Sequence, residues 1–177
     1  MKRKWKVDPM HSEIGFSVKH MMISKVKGTF NNFNANIFAD PNDLTTADIE
    51  VTVDLESIDT RNDDRDAHLK SADFFEIERF PHMTFRAVNI EKKGEQRYDV
   101  IGDLTIRDVT RRETFTVTVG GVAKDPMTGV EKAGFIGEGM INRKNYGLVW
   151  NAALESGGVL VGEEIDILIS IEAEKVA

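Results

Sequence analysis

Asp48-Ile-Glu-Val-Thr-Val-Asp-Leu-Glu56 alternates without a break: Ile49, Val51, Val53 and Leu55 fall on one side, Asp48, Glu50, Thr52, Asp54 and Glu56 on the other. A period of two predicts a β-strand with one buried and one wetted face. The same spacing recurs outward along the chain. In Glu113-Thr-Phe-Thr-Val-Thr-Val119, Phe115, Val117 and Val119 oppose three threonines. Ile14, Phe16 and Val18 repeat it, as do Met83, Phe85 and Ala87, and Ile165, Ile167, Ile169 and Ile171. Leu104 and Ile106 follow Gly102, and Phe135 to Ile141 is interrupted by Gly137 and Gly139 just after Gly134. Glycines inside a strand mark bulges, strong coiling or the close approach of another group. Turn residues divide the runs: Asp40-Pro-Asn-Asp43, Lys92-Lys-Gly-Glu95, Asp125-Pro-Met-Thr-Gly129 and Ser156-Gly-Gly158. About eight such one-sided strands must curl into a barrel or pair as a sandwich. With no repeat, low-complexity tract or linker, residues 1–177 read as a single all-β domain.

One segment breaks the β pattern. Asp59 to Phe85, DTRNDDRDAHLKSADFFEIERFPHMTF, carries a short charged helix signal. Thr60 or Asn62 can cap it; Asp63, Asp64 and Asp66 fill its first turn and Lys70 its last, so both ends suit the helix dipole. Its apolar stripe is thin, essentially Ala67, Leu69 and Ala72, which predicts a helix lying on a surface like a lid. Phe74, Phe75, Phe80 and Phe85 then follow within twelve residues. Such rings are either the closure of one end of the core or the lining of a cavity and its mouth.

Composition excludes several classes. Apolar residues make up 41% and charged ones 30%, ordinary for a folded globular domain. A net charge of -7 argues against nucleic-acid binding, which needs a basic face to release counterions. The chain contains no cysteine, so disulfides, thiolate metal sites and cysteine nucleophiles are out together. No apolar run approaches the ~18 residues of a membrane-spanning helix. Lys2, Arg3, Lys4 and Lys6 are followed at once by Val7-Asp8-Pro9 instead of an apolar signal core. The expected location is therefore cytoplasmic, or periplasmic if a leader has been removed.

Several motifs occur in a fixed order. Trp5-Lys-Val-Asp-Pro-Met-His11-Ser12, Phe16-Ser-Val-Lys-His20, Val26-Lys-Gly28-Thr29-Phe30 and Ser57-Ile-Asp-Thr60 come first. Arg65-Asp66-Ala-His68-Leu69-Lys70-Ser71-Ala-Asp73-Phe74-Phe75, Phe80-Pro81-His82-Met-Thr84-Phe85, Gly102-Asp-Leu-Thr105-Ile-Arg and Asn142-Arg143-Lys-Asn-Tyr-Gly147 follow. Together they resemble the YceI-like family, over nearly the whole chain. The resemblance implies an extended, lipocalin-like antiparallel barrel of about eight strands, a helix beside its opening, and a long-chain polyisoprenoid lipid held inside.

An eight-stranded barrel has an interior either just filled by side chains or able to hold one ligand. A hydrocarbon tail needs only apolar lining there, since each buried methylene contributes roughly 0.8 kcal/mol. The expected lining is Phe16, Val18, Val51, Val53, Met83, Phe85, Leu104, Ile106, Phe115, Val117 and Phe135, with Phe74 and Phe75 from the helical segment. A polar head group, such as a diphosphate or quinone, would find donors among Lys19, His20, Arg111, Arg112 and Arg143, each of which could equally be a surface charge. The helix start is crowded by Asp63, Asp64 and Asp66 and does not suit an anion.

Catalytic and metal patterns are weak. His11, His20, His68 and His82 form no HExxH-type pair. The acidic run from Asp59 lacks the glycine and the terminal glutamate of a calcium loop; eleven residues beyond Asp63 stands Phe74. No metal or cofactor is expected. Two functions remain: carriage or sequestration of a polyisoprenoid, or an enzyme acting on such a lipid with His20, His82 or Arg143 as its polar group. The scarcity of convergent ionisable residues favours the binding protein. A barrel rim with exposed apolar surface that a twofold partner could cover leaves a homodimer open as one assembly.

Overall fold

The computed structural model describes residues 1–155 and 157–177. Of the anticipated Ser156-Gly-Gly158 turn, Ser156 lies outside the described residues, whereas Gly157 and Gly158 take φ of 87° and 86°. The alternating segment forms β5 (Asp43–Asp54). Before it come β1 (Arg3–Val7), β2 (Glu13–His20), β3 (Ser24–Phe30) and β4 (Phe33–Asp40). After it come β6 (Ile58–Asp59), the helix α1 (Asp63–Lys70), β7 (His82–Lys92), β8 (Arg97–Ile106), β9 (Val109–Lys124), β10 (Glu131–Asn142) and β11 (Val161–Lys175).

Eight strands close into an antiparallel ring in the order β1-β4-β5-β7-β8-β9-β10-β11, completed where Trp5 faces Lys175. The expected eight-stranded barrel with one helix is thus present. Outside that ring lie β2, β3 and β6, an extension that the period-two pattern alone does not announce. Long β11 serves two neighbours on one edge: β2 pairs along Val161 to Ser170, and β1 takes over at Ala173 to Lys175. A kink between β1 and β2 makes the handover possible. Asp8 caps the 3-10 turn Pro9–His11 by accepting from the Met10 amide, and the Ser12 hydroxyl bridges to the backbone of Glu172 on β11.

Two buried clusters occupy the interior. At one end, Trp5, Tyr98 and Leu44 pack with the small Ala35, Ala39, Ala133 and Ala173, and the Trp5 indole N–H donates to the Ala39 carbonyl at 3.1 Å. Alanines let the strands converge there, and the indole finds the acceptor that a buried Trp requires. At the other end, Ile14, Phe30, Leu55, Ile58, Phe74, Ile106, Tyr146 and Leu148 form the second cluster. Val51, Phe85 and Ile169 touch both.

Asn62 caps α1, its side-chain oxygen accepting from the Arg65 amide at 3.0 Å, which settles the choice between the two candidate caps. No residue of the helix is buried, as its thin stripe predicts. It is strapped down from two sides instead. Asp66 accepts from both the amide and the hydroxyl of Thr60, while Arg65 donates to the Thr60 hydroxyl and carbonyl. Beyond the helix, Phe74 and Phe75 turn into the core.

Two strand glycines have a local cause. A Cβ on Gly139 would stand 2.4 Å from the Phe115 ring, and one on Gly28 would stand 2.5 Å from Phe16. Each glycine leaves room for an aromatic ring laid across its neighbour strand, the close approach that such glycines permit.

A candidate ligand-binding cavity

Between the two clusters the barrel keeps a cavity of about 130 Å³. Every strand of the closed ring except β1 supplies lining, and β2 adds Ile14. β5 gives Leu44, Ile49, Val51 and Val53; β7 gives Met83, Thr84 and Phe85; β11 gives Ile167, Ile169 and Ile171. Ile37, Val100, Leu104, Phe115, Val117, Phe135 and Gly137 complete it. Thr84 alone among these bears a polar side chain, and none is charged. Ligand pockets generally run to roughly 300–1,000 Å³. Here aromatic rings take up part of the lumen: Phe85 and Phe115 meet edge to face, with centroids 5.1 Å apart.

The structure sorts the anticipated lining into two groups. Val51, Val53, Met83, Phe85, Leu104, Phe115, Val117 and Phe135 all face the cavity. The other five do not line it; Phe16, Phe74, Phe75 and Ile106 belong to the helix-end cluster. Ile106 and Val18 are buried, Val18 between Val26 and Ile165 on its neighbour strands. Phe16 stacks at 5.4 Å on Phe30, which Phe75 meets edge-on at 6.2 Å. Phe74 packs 5.6 Å from Trp150, and the His68 ring sits between the two aromatic groups at 5.1 and 4.6 Å. Both sequence readings of the phenylalanines therefore apply to different members: Phe74 and Phe75 close the end of the core, while Phe85 lines the cavity.

The anticipated head-group residues do not converge. Lys19 is exposed and His20 half-buried at the far end of β2. Arg111 and Arg112 are exposed near the start of β9, where Arg112 pairs with Asp103 at 2.9 Å. Arg143 must be reassigned. It is 3% exposed and its guanidinium is spent on four backbone carbonyls, those of Leu148, Trp150, Val161 and Gly162, at 2.6 to 3.2 Å. Removal from water pushes its pKa down, against a smaller opposing pull from Glu163. A fork with this geometry organises the segment between β10 and β11 and has no donor turned to the cavity. His82 is exposed at the start of β7, and neither it, His20 nor Arg143 lines the lumen.

The YceI-like domain matches the chain from residue 5 to residue 173. The chain belongs to the YceI-like family. A UPF0312 protein of Staphylococcus epidermidis is 46% identical over 169 residues, covering 96% of each chain. Among solved structures, BcnA of Burkholderia cenocepacia superposes with a TM-score of 0.82 at 23% identity, covering 94% of this chain and 98% of the other. A polyisoprenoid binding domain from Saccharophagus degradans, implicated in plant cell wall breakdown, gives 0.71 at 14% identity, covering 97% and 98%. At these identities the two structures speak to the fold.

Cavity residues that the sequence reading omitted include Ile14, Ile37, Leu44, Val100, Ile167, Ile169 and Ile171. For β11 the signal was in plain view, since Ile165 to Ile171 alternate throughout. Tyr146 was also missed. Its hydroxyl donates to Glu113 at 2.7 Å in the helix-end core, and burial, with that carboxylate, pushes its pKa well up. One mixed ligand-type group exists among the described residues: the His11 Nδ1 lies 2.7 Å from Asp8 and 3.3 Å from Glu172. It lies at the kink between β1 and β2, and none of its members lines the cavity.

Proposed function

We propose that this protein binds the hydrocarbon tail of a long-chain polyisoprenoid in its barrel lumen, and carries or sequesters that lipid. The observation that carries the reading is the lining itself: a cavity inside the barrel walled by aliphatic and aromatic groups, with Thr84 its one polar side chain. Such a wall offers no readout of charge and rewards each buried methylene by about 0.8 kcal/mol. The polyisoprenoid binding domain with the same fold supports the choice of an isoprenoid over a straight acyl chain.

A tail larger than the cavity would have to displace the rings of Phe85, Phe115 and Phe135, which line the lumen. With no charge in the wall, a diphosphate or quinone head stays at the mouth. Carriage is favoured over catalysis because His20, His82 and Arg143, the polar groups nominated for chemistry, lie outside the lining. Native mass spectrometry of protein purified from its own cells tests the reading. An isoprenoid adduct recovered chemically unchanged is the expected result. Absence of any adduct, together with no rise in Tm when polyprenols are added, overturns it.

A further inference from the structure

The β2–β3 hairpin ends in Met21-Met22-Ile23, and its geometry is unusual for those residues. The Ile23 amide bonds back to the His20 carbonyl at 3.2 Å, and Met21 and Met22 take φ of 52° and 62°. Two consecutive left-handed residues make a type I′ turn, a position that suits Asn-Gly and disfavours long side chains. The apolar side chains are nonetheless held outward: Met21 is 41%, Met22 60% and Ile23 83% exposed. Of the other exposed methionines, Met1 is the first residue, Met10 and Met127 stand in turns and Met140 lies within β10. Here three adjacent residues form one apolar tip, and Val149 and Val159 are exposed in the segment that abuts it, where Met22 touches Gly158 and the Met21 amide bonds to Leu160.

The hairpin residues next to this tip are cationic, while the paired strand β11 brings Glu163, Glu164 and Asp166 alongside. From Gly15 to Phe30 the hairpin has Lys19, Lys25 and Lys27 and no acidic residue, in a chain of net charge -7. Lys19 and Lys25 are direct cross-strand partners just behind the turn. Lys25 lies 3.9 Å from Asp166, while Lys19 and Lys27 make no ion pair among the described residues. Nearby Glu163 is held by Lys144 at 2.8 Å. An apolar tip collared by lysines matches a surface that is anionic outside and apolar beneath.

We infer that the Met21-Met22-Ile23 tip docks this protein onto membranes containing anionic lipid, with the three apolar side chains in the acyl boundary and Lys19, Lys25 and Lys27 among the head groups. The tip is the end of the β2–β3 hairpin opposite Phe30, where β6 pairs, and none of its residues lines the cavity. The inference stands apart from the lumen ligand, because vesicles free of isoprenoid test it.

The experiment is co-sedimentation with phosphatidylglycerol-containing vesicles and with pure phosphatidylcholine vesicles. Wild type is expected to partition at least tenfold more strongly onto the anionic vesicles, and each Lys→Gln change at 19, 25 or 27 to weaken that about fivefold. Met21→Asn with Met22→Gly supplies residues the turn prefers, so Tm stays level or rises while vesicle binding falls about tenfold. Failure of wild type to bind either vesicle, or equal binding by the double variant, overturns the inference. So does a wild-type dimer that the double variant dissolves without any vesicle binding, which would give the tip to a second copy of the chain.

Discussion

Replacing Arg143 by alanine separates a scaffolding role from a ligand-binding one. The guanidinium is 3% exposed and donates to the carbonyls of Leu148 at 2.6 Å, Gly162 at 2.7 Å, Trp150 at 3.0 Å and Val161 at 3.2 Å. A hydrogen bond to a charged group contributes roughly 1.5–3 kcal/mol, so four sum to roughly 6–12 kcal/mol if nothing replaces them. Water entering beside the freed carbonyls recovers part of that, leaving an expected loss of about 4 kcal/mol. For a chain of this length the corresponding fall in Tm is about 8–16 °C. Arg143→Lys retains the charge but cannot fork to four acceptors, and it should recover less than half of the loss. Circular dichroism melts give the Tm, and polyprenol binding measured well below both transitions gives the function. The expected outcome is a large drop in Tm with affinity of the folded fraction kept within about threefold. A Tm within ~2 °C of wild type combined with lost binding would refute the reasoning and return Arg143 to the head group.

Gly139→Val drives a side chain into the space of Phe115, whose ring would lie 2.4 Å from a Cβ there; the ring must shift into the lumen. Overpacking of this kind costs about 1–3 kcal/mol, so both Tm and polyprenol affinity should fall, and an unchanged affinity contradicts it. Asn62→Ala removes the cap of α1 and should cost about 1 kcal/mol in urea unfolding; a change under ~0.3 kcal/mol means Thr60 and its clamps hold the helix alone. The Asp8–His11 pair gives a pH signature. Its hydrogen bond raises the His11 pKa above 6.5, helped by Glu172, and lowers that of Asp8 below 3.8. Stability from His11 is full below pH 6.5 and lost as pH climbs through the raised value; stability from Asp8 is present above pH 3.8 and lost as pH falls through the lowered one. The Tm gap between wild type and His11→Gln is therefore expected to be widest between about pH 4 and 6.5 and to narrow toward pH 8. A gap that does not vary with pH speaks against the pair.

Much of the cavity wall was legible because parity carries it. Once Ile49, Val51 and Val53 are assigned to one face, antiparallel pairing sets Met83 opposite Val53 and Phe85 opposite Val51, and the register continues to Leu104 opposite Phe85. A slip of one residue would have turned every member outward. Period two does not say where along a strand the lumen ends, so Ile106, with the right parity, falls in the packed helix end, and Val18 is buried between Val26 and Ile165 on a strand outside the ring. Strand β4 was obscure for a different reason. Its buried positions include Ala35 and Ala39, weak strand formers, and its Phe38 faces solvent under the Lys2 ammonium, which blurs the alternation. Arg143 was illegible because the four carbonyls it gathers come from residues 5 to 19 positions away. Nothing local distinguishes such an arginine from a surface charge. The helix, by contrast, announced itself through its cap and its ordered charges, and was placed correctly even though it buries nothing.

Gly137→Leu offers the most direct test of a lipid-bearing lumen. Gly137 lines the cavity, and a Cβ there meets Ile169 no closer than 3.4 Å, so the longer side chain projects into open volume without breaking the strand. Displacing about four methylenes of a bound tail, at ~0.8 kcal/mol each, weakens binding by about two orders of magnitude. Titration of a long-chain polyprenol by calorimetry into wild type and Gly137→Leu, with Tm as the check on folding, reads this out. Tight binding by wild type and a roughly hundredfold loss in a variant of equal or higher Tm is the predicted result. Equal affinity in the two proteins would place the tail somewhere other than the barrel.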